Sequence, residues 1–252
     1  MSADARVAVI TGASRGIGRA CAKALASAGL DVYLVADGTR EELEAACVEC
    51  RAAGSARADF GVYDLSKPES AESIAQAARA ALGRIDVLVN NAGIRIRHPF
   101  GEFDAAEFDA LVAVNLRAAF LLSQAVLPAM RAAGAGRIIN MASQLGLVAD
   151  PGSALYGLAK AGLIHLTRSM AYELGPEGIL VNSVSPGPIE TEFYRQRMQR
   201  EPDLRGRRLA YLPVGRLGTP EEIAEVVRFL ATTEATFMTG NNVVIDGGYV
   251  TH

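Results

Sequence analysis

The feature that most constrains the fold is a regular alternation, along the whole chain, of short apolar runs with longer alanine-rich stretches. The short runs are rich in valine and isoleucine and lack the alternating polar residues of a sheet with one solvated face. Such runs indicate parallel strands covered on both faces, and the longer stretches are typical of amphipathic helices. We therefore predict a three-layer α/β/α architecture around a doubly wound parallel sheet, the Rossmann fold.

The alternation also places the elements. The predicted strands are 6–11, 32–36, 86–90, 136–143, 179–185 and 242–246. The predicted helices are about 16–28, 40–53, 68–82, 104–130, 153–174 and 220–231. No linker or repeat marks a second domain, so we expect a single domain over 1–252. Segment 191–216 departs from the alternation because it is polar, arginine-rich and bounded by prolines, and we predict a substrate lid there.

Charge and hydropathy narrow the choice of partners. The net charge is −3 and no block of like charges occurs, which argues against nucleic acid or a membrane as the main partner. The longest apolar run is interrupted by Asn115, Arg117 and Gln124, and we expect it to be too polar to span a bilayer. The N-terminus passes within a few residues into a predicted strand and leaves no room for a signal peptide, so we expect a cytoplasmic protein.

One cysteine pair raises the question of a metal. Cys47 and Cys50 form a C-x-x-C spacing, which also occurs in redox and zinc sites. They lie in a helix-forming segment without a second ligand pair nearby, and the histidines have no metal-site spacing. We therefore expect no metal and interpret both cysteines as structural.

Two glycine-containing motifs follow predicted strands. The stretch TGASRGIG, residues 11–18, joins the first strand to a helix, and Gly12, Gly16 and Gly18 permit a tight turn and close backbone approach to a diphosphate. The helix that follows points its N-terminal amides at that charge. The stretch NNAG, residues 90–93, ends another strand with small residues that let the backbone pass close to a flat ligand. Either motif alone is equally consistent with an ordinary tight turn.

A third motif carries groups suited to acid-base chemistry. In YGLAK, Tyr156 and Lys160 are four residues apart on a predicted helix and therefore share a face, where the cation favours the phenolate. Ser143 ends the strand that precedes this helix and is placed to donate a hydrogen bond to a carbonyl oxygen. Asn115 is a polar residue in an apolar helix and needs a partner there.

Taken in order, these motifs resemble the short-chain dehydrogenase/reductase family, and within it the 3-oxoacyl-(acyl-carrier-protein) reductases. The resemblance covers essentially the whole chain. Its pieces are the glycine motif at 11–18, Asp64 and Leu65, NNAG at 90–93, Asn115, Ser143, YGLAK at 156–160, PGPIET at 186–191 and IDGG at 245–248. One departure is Ala142, where many relatives carry a second serine.

The resemblance implies a role for each matching residue. Tyr156 would be the acid-base, Ser143 would hold the substrate oxygen, Lys160 would bind the nicotinamide ribose, and Asn115 would order a relay water. The implied cofactor-binding residues are Gly12, Ser14, Arg15, Gly16, Ile17, Gly18, Asp37, Asp64, Leu65, Asn91, Ala92, Gly93, Tyr156, Lys160, Pro186, Gly187, Ile189 and Thr191. The family also implies a homotetramer that acts on a small carbonyl or alcohol substrate, with the helices at 104–130 and 153–174 across one interface.

The substrate is less determined than the reaction. Candidate substrate residues are Arg95, Gln144, Phe193 and Tyr194, in the segments that line the family's pocket. Arginines in these segments suit an acyl-carrier-linked or anionic oxo substrate, whereas a neutral polyol, sugar or ring ketone is the alternative within the enzyme class. A catalytically silent dinucleotide sensor or scaffold is the alternative from another class.

Cofactor choice depends on one carboxylate. Asp37 lies about twenty residues past Gly18, where an acidic residue binds the adenosine ribose hydroxyls and repels a 2′-phosphate. If the strand ends at Ala36 instead, Asp37 is displaced, and Arg15 in the glycine motif, helped by Arg40, would favour the phosphate. From this spacing we expect NAD(H) in preference to NADP(H).

Overall fold

The computed structural model describes residues 5–201 and 204–251. Within them, all paired strands are parallel and form one sheet in the order β3-β2-β1-β4-β5-β6-β7. The strands are β1 Val7–Thr11, β2 Asp31–Ala36, β3 Ala58–Val62, β4 Val87–Asn90, β5 Gly136–Met141, β6 Ile179–Pro186 and β7 Asn242–Ile245.

Helices connect successive strands and cover both faces of the sheet. The α-helices are α1 Gly16–Ser27, α2 Arg40–Ala53, α3 Ser70–Leu82, α4 Ala105–Val112, α5 Ala118–Ala133, α6 Ala154–Leu174, α7 Glu192–Arg200, α8 Leu204–Leu209 and α9 Pro220–Thr232. Short 3₁₀ turns lie at Phe100–Glu102, Gln144–Gly146, Gly175–Glu177 and Tyr249–Thr251. One hydrophobic core lies between the sheet and α1, α2 and α9, and a second between the sheet and α3, α5 and α6. The predicted doubly wound α/β/α sheet is confirmed.

Strand order locates the ligand cleft. Chain direction across the sheet reverses between β1 and β4, because β2 and β3 lie on one side of β1 and the later strands on the other. Loops that leave β1 and β4 therefore diverge, and a crevice opens outside the carboxyl ends of these strands. The motifs at 11–18 and 90–93 form its floor.

One strand is absent from the sequence prediction. β3 forms the edge of the sheet beside β2, and most of its residues are partly or fully exposed. Its sequence ADFGV contains an aspartate and a glycine instead of a continuous apolar run. The apolar pattern that predicts the central strands is therefore missing from this one, because only one side of it is protected by a neighbouring strand.

The long predicted helix at 104–130 is interrupted by a single π turn over Ala113–Arg117, where the Ala118 amide donates to the Ala113 carbonyl. The whole helical segment Ala105–Ala133 is long and apolar enough to cross a bilayer by length and composition, so the expectation that this run is too polar to do so was wrong. Its inner face, which includes Leu122, Val126 and Met130, packs in the core against the sheet. This helix is therefore a core element of the α/β fold.

The segment 191–216 leaves the sheet after β6 and folds as α7 and α8 above the cleft. A small cluster of Tyr194, Leu212, Leu217 and Tyr249 anchors it. Its role as a substrate lid remains a prediction.

Candidate active site

A cleft of about 570 Å³ lies at the carboxyl ends of the strands. It is lined by the predicted cofactor-binding residues and by Ser143, Tyr156, Lys160, Arg95, Gln144 and Tyr194. Asn115 lies buried next to the cleft rather than in its lining. The side chain of Phe193 lies outside the described residues.

The glycine motif forms a floor with no room for side chains. Gly12 adopts a φ of +64°, and a Cβ on Gly18 would lie 2.1 Å from the Gly12 carbonyl oxygen. The side-chain amide of Asn91 donates to the carbonyls of Thr11 and Gly12 at 2.8 and 3.2 Å. The N-cap residue of α1, Arg15, makes no side-chain capping bond, which leaves the first amides of the helix available to a phosphate. This cradle fits the diphosphate of a dinucleotide.

Ser143, Tyr156 and Lys160 line the same cleft. Ser143 Oγ accepts a hydrogen bond from the Leu145 amide at 3.1 Å, which orients the hydroxyl and leaves its hydrogen to donate. Lys160 is buried, and its Nζ lies 5.6 Å from the Tyr156 ring centroid. Its Nζ donates to the Met141 carbonyl at 2.7 Å, and burial lowers the pKa of the ammonium, opposed by Tyr156.

A chain of buried amides holds α6 against the sheet. Asn90 Nδ2 on β4 donates to Asn140 Oδ1 on β5 at 2.9 Å, and Asn140 Nδ2 donates to Thr167 Oγ1 on α6 at 2.9 Å. Thr167 in turn donates to the Leu163 carbonyl at 2.8 Å. This amide ladder fixes α6, and with it Tyr156, relative to the strands that form the floor.

Asn115 has an observed partner. Its side chain makes two hydrogen bonds of 2.8 Å with the backbone of Ile94: Oδ1 accepts from the amide, and Nδ2 donates to the carbonyl. Asn115 sits in the π turn, a feature that is frequent at functional sites. The side chain therefore braces the loop after NNAG, and its implied role in ordering water stays a prediction.

At the adenosine end of the cleft, β2 ends at Ala36, one residue before Asp37. Asp37 and Arg15 are both exposed and both line the cleft. Arg40 pairs with Glu44 at 2.9 Å and lies over the Phe60 ring, away from the lining. The strand therefore ends before Asp37, and Arg15 is the arginine that lines this end of the cleft.

A cluster of three arginines around Asp150 forms the substrate end of the cleft. Arg208 from α8 makes two bonds of 2.8 and 2.9 Å to this carboxylate, and Arg97 makes one of 3.0 Å. Arg95 Nη2 lies 3.9 Å from the same oxygen that Arg97 contacts. Burial disfavours the carboxylate, but bonds and charge from Arg208 and Arg97 outweigh it and hold the pKa of Asp150 at about 2.

Sequence reasoning did not single out two members of this cluster, Arg208 and Asp150. Both belong to segments that the sequence places at the substrate pocket, but polar loops rarely carry a periodic signal. Arg208 pairs with Asp150 because the fold places α8 beside the loop that carries Asp150. The segments were predictable from the sequence, whereas the individual residues were not.

Residues 12–250 match the family described as enoyl-(acyl carrier protein) reductase. The chain is 40% identical over 248 residues to the 3-oxoacyl-(acyl-carrier-protein) reductase FabG of Escherichia coli, with 98% of each chain covered. The chain belongs to the short-chain dehydrogenase/reductase family. The predicted resemblance is thereby confirmed, and this member is an NAD(P)-dependent oxidoreductase that interconverts ketones and secondary alcohols.

Two solved structures of this family share the fold closely. A putative 2-deoxy-D-gluconate 3-dehydrogenase from Agrobacterium tumefaciens with bound NADP has a TM-score of 0.89 and 32% identity, with 100% of this chain and 98% of that chain covered. A putative NAD(P)-dependent gluconate 5-dehydrogenase from Beutenbergia cavernae, with NADP at low occupancy, has a TM-score of 0.91 and 35% identity, with 100% and 99% covered.

These structures overturn the expected preference for NAD(H). Both relatives were solved with NADP. The prediction was wrong because it gave more weight to the carboxylate of Asp37 than to the guanidinium of Arg15, although both side chains are exposed and line the same end of the cleft. The strand ends at Ala36, as the predicted strand 32–36 does, and Asp37 follows it.

Proposed function

We propose that this oxidoreductase uses NADP(H) and that Tyr156 exchanges the proton with the substrate oxygen. The observation that carries the proposal is that Ser143, Tyr156 and Lys160 line the same cleft as the glycine motif at 11–18. When bound, the nicotinamide supplies the hydride in reduction and accepts it in oxidation. Tyr156 protonates the carbonyl oxygen in reduction and removes that proton in oxidation.

Ser143 and Lys160 support this proton transfer. The Ser143 hydroxyl, oriented by the Leu145 amide, donates to the substrate oxygen and stabilises the charge that develops on it. The Lys160 ammonium uses one hydrogen on the Met141 carbonyl and retains two others for ribose hydroxyls. Its Nζ lies 5.6 Å from the centroid of the Tyr156 ring, so the cation stands beside the group that exchanges the proton.

The cofactor proposal rests on the adenosine end of the cleft. Arg15 lines this end and lies at the N-terminus of α1, where a helix favours anions. We assign it to the 2′-phosphate, where a guanidinium forms charge-assisted hydrogen bonds. The bound NADP of the two structural relatives supports the assignment.

Substitution of Tyr156 tests the enzyme against the silent-sensor alternative. Tyr156→Phe removes the proton donor, and we expect NADPH oxidation with a carbonyl substrate to fall by about 10²- to 10⁴-fold. NADPH affinity, measured from the change in its fluorescence, should stay within a few-fold. The matched control is Tyr172→Phe on the same helix, whose side chain is fully solvated and whose loss should leave both quantities unchanged.

Two results would contradict the proposal. One is unchanged turnover in Tyr156→Phe. The other is a wild-type protein that binds NADPH yet turns over no member of a broad panel of ketones and alcohols, which would favour a sensor. An enoyl thioester belongs on the same panel because the matching family description names enoyl reduction.

We also propose a cytoplasmic homotetramer built from single-domain subunits, with 191–216 as the substrate lid. The exposed apolar side chains Phe108, Phe120 and Leu158 on α4, α5 and α6 support one subunit interface. The anchoring of α7 and α8 above the cleft supports the lid.

A further inference from the structure

Gln144 places a buried amide next to a residue that serves the reacting oxygen. It follows Ser143 directly, lines the cleft and is 4% exposed. Its Oε1 is buried and has no hydrogen-bond partner among the described residues. Buried polar atoms are normally paired because an unpaired one is costly, so this oxygen is open to a donor on a bound molecule.

The 3₁₀ turn that begins with Gln144 packs directly on α6. A Cβ on Gly146, at the end of this turn, would lie 2.8 Å from the carbonyl carbon of Lys160. A Cβ on Gly157 of α6 would lie 2.8 Å from the Leu145 carbonyl oxygen. The two glycines therefore let the backbones of the turn and the helix touch, and this contact holds Gln144 close to the proton-transfer groups of α6.

The chemistry of an amide oxygen restricts what it can bind. A ketone oxygen accepts hydrogen bonds, and in the proposed reaction it receives one from the Ser143 hydroxyl and a proton from Tyr156. The Gln144 Oε1 also accepts, so it does not bond to that oxygen. Its partner is a hydrogen-bond donor elsewhere on the substrate. Because Gln144 is the next residue after Ser143, a hydroxyl on the carbon beside the carbonyl is a donor within its reach.

Two substrate classes that the sequence leaves open differ in this donor. A polyol or sugar carries a hydroxyl on the carbon next to the reacting one. A 3-oxoacyl thioester carries a methylene group there, followed by a thioester carbonyl that only accepts hydrogen bonds. A bound thioester would leave the Gln144 Oε1 buried and unpaired, whereas a hydroxyketone would pair it. The amide therefore discriminates between the two classes.

We propose that Gln144 is a specificity-determining residue that selects hydroxyketones, and the vicinal diols formed from them, over acyl thioesters. Its Oε1 accepts a hydrogen bond from the hydroxyl on the carbon next to the reacting carbon. The proposal rests on the proposed function, because it names the substrate class of the same site.

Three ketones with one carbon skeleton test the wild type. Acetoin carries the hydroxyl, 3-methoxy-2-butanone keeps the oxygen without its hydrogen, and 2-butanone lacks both. In reduction with NADPH, kcat/KM for acetoin should exceed that for each of the other two by about 10- to 100-fold. The methyl ether withdraws electrons from the carbonyl as the hydroxyl does, so it separates the hydrogen bond from intrinsic reactivity.

Substitution of the amide should reverse the preference. Gln144→Met removes the acceptor and keeps the length of the side chain, so kcat/KM for acetoin should fall by about 10-fold. The value for acetoacetyl-coenzyme A should rise a few-fold, because no unpaired oxygen remains. Gln76→Met is the matched control, since Gln76 is exposed on α3 and does not line the cleft, and it should change neither value. Gln144→Glu, which keeps an acceptor oxygen, should retain part of the preference for acetoin even if Gln144→Met disturbs the turn.

Ligand-observed NMR gives a readout that does not depend on turnover. Acetoin is titrated into Tyr156→Phe loaded with NADPH, with and without Gln144→Met, and the second substitution should weaken acetoin binding by about 10-fold. NADPH affinity, measured from its fluorescence, should stay within a few-fold in both proteins.

Three results would overturn the inference while the proposed function stands. They are equal kcat/KM for acetoin and 2-butanone in the wild type, equal acetoin affinity in the two titrations, and a loss of NADPH affinity in Gln144→Met, which would assign the amide to the cofactor. Absence of turnover for every substrate would overturn the proposed function, and the titration would still decide the inference.

Discussion

At the scale of single residues, two side chains of opposite charge bear on the proposed choice of cofactor. Asp37 lies just beyond β2 rather than at its last residue, and Arg15 lines the same end of the cleft. A carboxylate there repels a 2′-phosphate, whereas a guanidinium attracts it, so the two side chains act in opposite directions. The exposure of both gives the arginine freedom to reach the phosphate and the aspartate freedom to turn away.

Removal of Arg15 tests this balance. Arg15→Ala should lower kcat/KM with NADPH by about 10- to 100-fold, the effect of one charge-assisted contact, and should change kcat/KM with NADH little. Arg40→Ala is the matched control, because Arg40 lies three residues past Asp37 but pairs with Glu44 and does not line the cleft. A parallel loss with both cofactors in Arg15→Ala would show that Arg15 supports the loop rather than the phosphate.

The sequence predicts the lining of the cleft well because each of those residues belongs to a motif with its own backbone requirement. Gly18 is one example, since any side chain there would collide with the Gly12 carbonyl. The role of Asp37 is different, because the predicted strand 32–36 ends at the observed residue, Ala36, yet spacing does not fix where the exposed side chain beyond that end points. Its balance against Arg15, which comes from the loop after β1, depends on how the fold places the two loops side by side.

At the scale of elements, Asp150 joins the loop after β5 to α8. Arg208 and Arg97 both bond to its carboxylate, whose side chain is 8% exposed. This contact connects the segment above the cleft to the rigid part of the molecule. The sequence indicated the excursion at 191–216 by its composition, but not this contact, because ion pairs between two loops leave no periodic pattern.

The pH dependence of stability should report this contact. Because the pKa of Asp150 is about 2 in the folded protein, below its ordinary value, its contribution is fully present above about pH 4 and is lost as pH falls towards 2. Asp150→Asn should therefore lower the free energy of unfolding by about 2 kcal/mol at pH 7. Urea titrations at several pH values measure this difference between the two proteins.

The expected difference between Asp150→Asn and the wild type shrinks as the solution becomes more acidic. Glu225→Gln is the control, because Glu225 forms an exposed pair with Arg228 and should change stability by less than about 1 kcal/mol. A difference that is constant from pH 7 to pH 3 would contradict the assignment of a low pKa to this carboxylate.

At the scale of the whole molecule, the outer faces of two long helices are unusually apolar. Phe108 and Phe120 lie exposed on the α4–α5 segment, and Leu158 lies exposed on α6. The inner faces of the same helices pack in the hydrophobic core. These helices therefore carry apolar side chains on both their inner and their outer faces. In the proposed homotetramer the outer faces would be buried between subunits, which would account for both apolar sides.

Light scattering tests the assembly. The mass in solution should be about four times the 26.5 kDa of one chain, and Phe120→Glu should shift the population to smaller species. Val48→Glu, at an exposed position of α2 away from these faces, should leave the mass unchanged. A wild-type monomer would contradict the proposed tetramer.

The amide ladder from Asn90 through Asn140 to Thr167 has a consequence for redesign. It fastens α6, and with it Tyr156, to β4 and β5 in the interior of the sheet, whereas Arg97 and Arg208 lie on a loop and on α8, outside that connection. Arg95 differs from them, because it bonds to Ser153, the N-cap residue of α6. Redesign of the far end of the cleft is therefore best begun at Arg97 and α8, where substitutions leave the attachment of Tyr156 to the sheet intact.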